Sequence, residues 1–152
     1  MEVALINPFL AATMDVLQTM AQVPATPGKP YLKNNQQAKG DVTGVIGIMG
    51  HAKGTISVTF TESAILPIVS GMLGETFSSL NRDVGDAVGE ITNMISGQAR
   101  RMLAEKGMQF DGAIPSVIMG KNHTIYHIAS KPVLAIPFTT PHGKLTVEVC
   151  IA

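Results

Sequence analysis

The chain has 152 residues, 45% of them hydrophobic and 14% charged, and its equal numbers of basic and acidic side chains give a formal net charge of zero. This is the composition of a folded globular domain, and the lack of a basic surplus argues against nucleic acid or an anionic membrane as partner. Tryptophan is absent and aromatic residues make up only 5%, so a stacking platform for bases is not expected either. The length suits one domain with a sizeable core, taken as residues 1–152. Cys150, the single cysteine, cannot close an internal disulfide and sits in an apolar run, as a buried thiol in a reducing compartment would. Glu2 and Asp15 interrupt the amino-terminal stretch and no basic segment precedes it. Neither a signal peptide nor a membrane span is expected, and the location implied is cytoplasmic.

In chain order, Asn7-Pro8 reads as an N-cap followed by proline at the first helical position. Phe9, Leu10, Met14 and Leu17 then recur at helical spacing, which predicts a first helix over about Pro8–Gln22. Pro24, Pro27 and Pro30 stiffen the linker that follows. Asp41–Met49 and Thr55–Phe60 are strand-like and flank a turn at Gly50–Gly54, with Ile56, Val58 and Phe60 on one face, so a β-hairpin is predicted. Thr61 or Ser63 caps a second helix that runs to about Met72 and stops at Gly74. Pro67 conflicts with that helix and is expected to kink it or delay its start.

The third helix carries most of the information. Asn81 or Asp83 caps it, Asp83 and Asp86 complement its dipole, and Gly107 ends it. At 100° per residue, Val84, Val88, Ile91, Ile95, Ala99 and Met102 form a core-facing stripe. Asp86, Glu90, Asn93 and Gly97 fall on the opposite side. Gly85, Gly89, Ser96 and Gly97 keep the surroundings of these polar groups small, although each glycine costs a helix roughly 0.5–1 kcal/mol against alanine. A solvated face with ordinary packing glycines is one reading. The short polar row without Glu-to-Lys pairs favours another, a docking face that carries Glu90 and Asn93 into a partner.

Beyond Gly107, strand-like runs occupy about 115–120, 124–129, 132–139 and 144–151. Pro132 and Pro137 put the third run at an edge or bulge, where Val133–Phe138 could extend a sheet across a two-fold axis. Strands cluster beside strands, so the predicted class is α+β, a mostly antiparallel sheet of about six strands covered on one face by three helices.

The pattern Asp86-x-x-x-Glu90-x-x-Asn93, with Pro115 some twenty residues on, resembles the signature of the CheC/CheX/FliY family of chemotaxis phosphatases, and most of all its CheX branch. Gly89-Glu90-Ile91-x-Asn93-Met94-Ile95-Ser96-Gly97, Ile6-Asn7-Pro8-Phe9 and Pro115-Ser116-Val117 carry the same likeness, which extends over nearly the whole chain. The resemblance implies a CheC/CheX-like fold, a homodimer, and a phosphorylated CheY-type response regulator as substrate. It implies that Asn93 orients the attacking water and that Glu90 docks to a regulator lysine. Asp86, Gly89, Gly97 and Pro115 are the further partner-binding candidates. No cofactor of its own is implied, and Mg2+ would belong to the regulator. A non-catalytic flagellar-switch or chemosensory scaffold of the same superfamily is the alternative, and an unrelated ligand-binding domain is a third reading.

Other chemistry finds little support. His123 and His127, four apart on a strand, lie about 13 Å from each other and could not share a metal. With His51 and His142 they read as turn and surface groups, and no zinc site is expected. Glycines 40, 44, 47, 50 and 54 form no nucleotide fingerprint, and neither Ser70 nor Ser96 has a nearby His/Asp arrangement.

Overall fold

A computed structural model of the chain describes residues 3–33, 37–127 and 132–151. Helix α1 spans Ile6–Ala21 and grows out of a 3-10 turn at Val3–Leu5. The cap expected at Asn7 is therefore displaced: Leu5 precedes the helix and makes no side-chain cap bond. Pro8 falls at the third helical position, where its missing N–H has no intrahelical acceptor to lose. Gln22 ends the helix in the left-handed region at φ 56°, its N–H bonded to the Gln18 carbonyl.

Two short strands, β1 (Thr26–Pro27) and β2 (Tyr31–Lys33), occupy the proline-rich linker. The hairpin follows as β3 (Gln37–Gly50) and β4 (Gly54–Phe60), in register from Val42 opposite Phe60 to Ile48 opposite Gly54. Helix α2 spans Glu62–Leu73, with Thr61 Oγ1 accepting from the Ala64 N–H at 3.2 Å and Gly74 closing it at φ +72°. Pro67 neither shortens nor ends it. The proline removes the bond that the Ser63 carbonyl would have received, and Ser63 is exposed, so water can take that acceptor.

Helix α3 spans Arg82–Glu105. Of the two cap candidates Asn81 acts, its Oδ1 accepting from the Val84 N–H at 2.9 Å. Gly107, at φ +86°, donates to the Ala104 carbonyl and Met108 to that of Leu103, a left-handed ending in which glycine escapes the Cβ clash. The expected stripe is buried from Val84 to Ala99, but its last member is Leu103 and Met102 is only half-buried. Strands β5 (Phe110–Gly112), β6 (Ser116–Tyr126), β7 (Val133–Thr139) and β8 (Lys144–Ile151) complete the chain.

All strand pairs are antiparallel, in the order β1-β7-β8-β4-β3-β5, with β2 also on β7 and β6 also on β3. Among the described residues the sheet has eight strands, not about six. The runs at 115–120 and 124–129 merge into β6, with residues 128 and 129 outside the described ones, while β1, β2 and β5 are too short to show alternation. The edge foreseen at Val133–Phe138 is not open: β1 and β2 pair along β7, so extension of the sheet there is blocked.

The three helices cover one face. Ile56, Val58 and Phe60 of β4 join Val147 and Val149 of β8 and the stripe of α3 in one core. The opposite face is polar yet buried, with Thr43, Thr55, Ser57, Thr59 and Glu148 each at most 6% exposed. A register shift between Gly40 and Val42 lets β3 and β6 carry their far ends over this face. His123 Nε2 reaches Thr43 Oγ1 at 2.7 Å, and His127 Nδ1 reaches Thr55 Oγ1 at 2.8 Å. His127 Nε2 faces Glu148 Oε1 at 3.0 Å, and Lys33 Nζ donates to Glu148 Oε2 at 3.0 Å. His127 is thus a buried network member and His123 a half-buried one, which corrects their reading as surface groups.

Asp41 pins the same bulge. Its Oδ2 accepts from the Glu62 N–H at 2.8 Å and its Oδ1 from the Asn122 N–H at 3.0 Å, joining the start of α2 to a residue held at φ +57°. These two backbone donors, Glu62 first, hold the Asp41 carboxyl below its ordinary value, with smaller help from His123 and Lys121. A lowered folded-state value stabilises the fold above the ordinary carboxylate range, and the gain disappears as pH falls through the lowered value. Asp41→Asn is therefore expected to lower the urea midpoint at neutral pH and to differ much less from wild type near pH 3. An equal gap at both pH values would show that the charge of Asp41 is not what matters.

One glycine sets the seat of α3. A Cβ on Gly44 of β3 would overlap the Thr92 hydroxyl and stand 2.8 Å from Thr92 Cβ, and Thr92 is fully buried with its Oγ1 donating to the Val88 carbonyl at 2.7 Å. Gly44→Ala forces helix and sheet apart and is expected to cost about 2 kcal/mol. Thr92→Ala in the same chain recovers part of that loss, because hydroxyl and methyl are then gone. Urea unfolding of the single and double variants checks this, and additive losses would exclude a shared contact.

Candidate functional site

Glu90 and Asn93 both leave the outer side of α3 and both are exposed. Three apart on a helix, their Cβ atoms are about 5–6 Å from each other. The cause is local: Ile91, Thr92 and Ile95 are buried on the other side, so the helix phase turns Glu90 and Asn93 outward. Asp86 is exposed one turn earlier on the same side. The short polar row foreseen in the sequence therefore exists as a ridge on which Asp86, Glu90 and Asn93 are exposed.

Beside the ridge runs an open groove of about 770 Å³ between α3 and β6. Asp86, Gly89, Glu90 and Asn93 form its helical wall, and Pro115, Val117 and Met119 form the strand wall. Pro115 thus stands across from the acid and the carboxamide, an arrangement the long separation in sequence does not reveal. Ile114, next to it in the chain, is 89% exposed.

The glycines divide in role. A Cβ on Gly85 would stand 3.1 Å from Met119 Cε, and one on Gly89 3.4 Å from Val117 Cγ2. Here a closely approaching surface is strand β6 of the same chain, and Gly89 also lines the open groove. Gly97 lies outside the groove, further along α3 beside Met94, Gln98 and Arg101. The strand wall was the part missed from the sequence. Val117 was visible only as part of Pro115-Ser116-Val117, and nothing in the local pattern singled out Met119.

Chemically, the ridge offers an anionic group next to a neutral group that can both donate and accept hydrogen bonds. No described residue sits across from Glu90 as an ion-pair partner. Fold and ridge together define a helix-on-sheet domain that presents an exposed polar helix face.

The particular family follows from comparison with known proteins. The family model described as "Chemotaxis phosphatase CheX" matches residues 42–139, a span that includes Asp86, Glu90, Asn93, Gly97 and Pro115. The chain belongs to the CheX family. It is similar to the chemotaxis protein CheX of Desulfovibrio desulfuricans, with 54% identity, a TM-score of 0.93, and coverage of 99% of this chain and 100% of that one. It is similar to the CheX chain in a CheX-CheY-BeF3-Mg2+ complex from Borrelia burgdorferi, with 30% identity, a TM-score of 0.81 and 96% of each chain covered. It also resembles the CheY-P phosphatase CheX of Thermotoga maritima, at 24% identity over 123 residues, covering 80% of this chain and 79% of that one.

Proposed function

We propose that this protein accelerates hydrolysis of the aspartyl-phosphate of a CheY-type response regulator. One observation carries the proposal: Glu90 and Asn93 stand exposed and adjacent on α3, at the edge of an open groove. The family adds support, as does the relative whose structure contains CheY, BeF3 and Mg2+.

In this reading α3 enters the regulator's site. The Asn93 carboxamide accepts from a water and holds its oxygen in line with phosphorus. The water–phosphorus bond forms as the bond to the aspartate oxygen breaks, leaving a free carboxylate and inorganic phosphate that takes up the water's proton. An amide is too weak a base to deprotonate water, but a loose phosphoryl-transfer transition state needs little deprotonation early, so positioning and electrostatics supply most of the effect. Glu90 beside a dianionic phosphoryl group is unfavourable unless a cation stands between them, and a regulator lysine meets that need. Asp86 adds a second docking contact, and Pro115 shapes the wall opposite. Mg2+ belongs to the regulator, and this chain supplies no cofactor. The same proposal includes a cytoplasmic setting and a homodimer, which a solution mass measurement tests.

The direct test uses a regulator phosphorylated by a small-molecule phosphodonor in the presence of Mg2+. Catalytic amounts of this protein are expected to speed phosphate release. No acceleration against any CheY-type regulator of the same cell overturns the enzymatic reading.

A further inference from the structure

The ridge of α3 contains a glycine that packing among the described residues does not explain. Gly85 and Gly89 make room for β6. Among the described residues Gly97 makes room for nothing: apart from its two chain neighbours and the helix's own backbone, the nearest atom to a Cβ there is Arg100 Nη2 at 3.8 Å, the tip of a flexible side chain. A glycine inside a helix is unfavourable, and alanine at this position meets no clash. Gly97 stands four residues beyond Asn93, hence on the same side and about 6 Å further along the axis. It floors a shallow depression of about 390 Å³ bordered by Met94, Gln98 and Arg101.

The two arginines beside it differ. Arg100 is engaged: its Nε donates to Ser96 Oγ at 3.1 Å, and its guanidinium lies over Gly112, where a Cβ would stand 2.8 Å from Cζ. Arg101 is exposed and, among the described residues, has no hydrogen bond or ion pair. Along the exposed side of α3, Asp86 and Glu90 are acidic, Asn93 and Gly97 neutral and Arg101 basic, over about 22 Å, with Arg82 one turn before Asp86 and Glu105 one turn beyond Arg101.

We infer that Gly97 is where the main chain of the response regulator lies directly against α3, and that Arg101 pairs there with an acidic side chain of the regulator. The inference rests on the proposed function and adds to it a second anchor that sets the direction of docking. With Glu90 facing a cation and Arg101 an anion, a regulator approached the other way round meets like charges at both ends. Regulators lacking an acid at this point are discriminated against, which makes Arg101 a specificity determinant rather than a catalytic residue.

Steady-state dephosphorylation by Gly97→Leu, Gly97→Ala, Arg101→Glu and Asn93→Ala tests it, with a melting curve for each variant. Both Gly97 variants improve helix propensity, so their melting temperatures are expected to hold or rise. Gly97→Leu is expected to raise KM about tenfold or more, and Gly97→Ala less. Arg101→Glu is expected to raise KM about tenfold at low salt, with the gap narrowing at high salt. Activity falling while stability rises is not produced by a purely structural glycine. Wild-type KM in Gly97→Leu, with Asn93→Ala inactive, overturns this inference alone. A fully active Asn93→Ala overturns the proposed function and this inference with it.

Discussion

Asn93→Ala is expected to lower the turnover of phosphorylated regulator by on the order of a hundredfold or more, while binding of the regulator survives. The size follows from the carboxamide's task. It acts only when water and phosphorus are in line, so its removal affects the transition state and spares the bound ground state. The protein itself is not weakened, because position 93 is exposed on a helix and alanine has the higher helix propensity. Glu90→Ala is expected to show the other signature, a raised KM from the lost ion pair together with some loss of turnover, since the same contact sets the depth of the helix. Single-turnover phosphate release and titration of the regulator separate the two. Wild-type turnover in Asn93→Ala would falsify the assignment.

The largest effect on stability is expected from Glu148→Ala. Glu148 is 4% exposed and is the acceptor for both His127 Nε2 and Lys33 Nζ, on a sheet face that also buries Ser57 and Thr55. Removing the acceptor that His127 and Lys33 share breaks a buried polar network, a loss of about 3–5 kcal/mol. Glu148→Gln keeps the shape and one acceptor and is expected to cost less. Urea unfolding of the two variants provides the comparison. A midpoint for Glu148→Ala equal to that of the wild type would mean that water already reaches the network.

The legible parts of the fold were those that depend on near neighbours. Thr61, Asn81, Gly74 and Gly107 mark helix ends through bonds that span a few residues, and all four act where expected. The hairpin was legible because Ile56, Val58 and Phe60 alternate with Thr55, Ser57 and Thr59. The same alternation concealed the second buried face. A row of hydroxyls normally means solvent. Only pairing across long stretches of sequence, Lys33 and His127 with Glu148, turns that row into an interior. Pro67 does not delay the start of α2, which begins at Glu62, and the carbonyl that loses its bond belongs to Ser63, whose exposure no local pattern contains.

Glu90 and Asn93 were legible for a simple reason: helical phase is a property of consecutive residues, and the stripe from Val84 to Ala99 leaves them no inward option. The sequence by itself therefore determined the helices, the hairpin, the class of fold and which side of α3 stays in water. Tertiary structure alone decided what stands beside that side. Packing of β6 brings Pro115, Val117 and Met119 across from Asn93, makes close contact at Gly85 and Gly89, and leaves Gly97 without a close neighbour among the described residues. The physical reason is range: backbone capping and amphipathic phase act over a turn or two, whereas a groove is made by surfaces that only the folded core holds together.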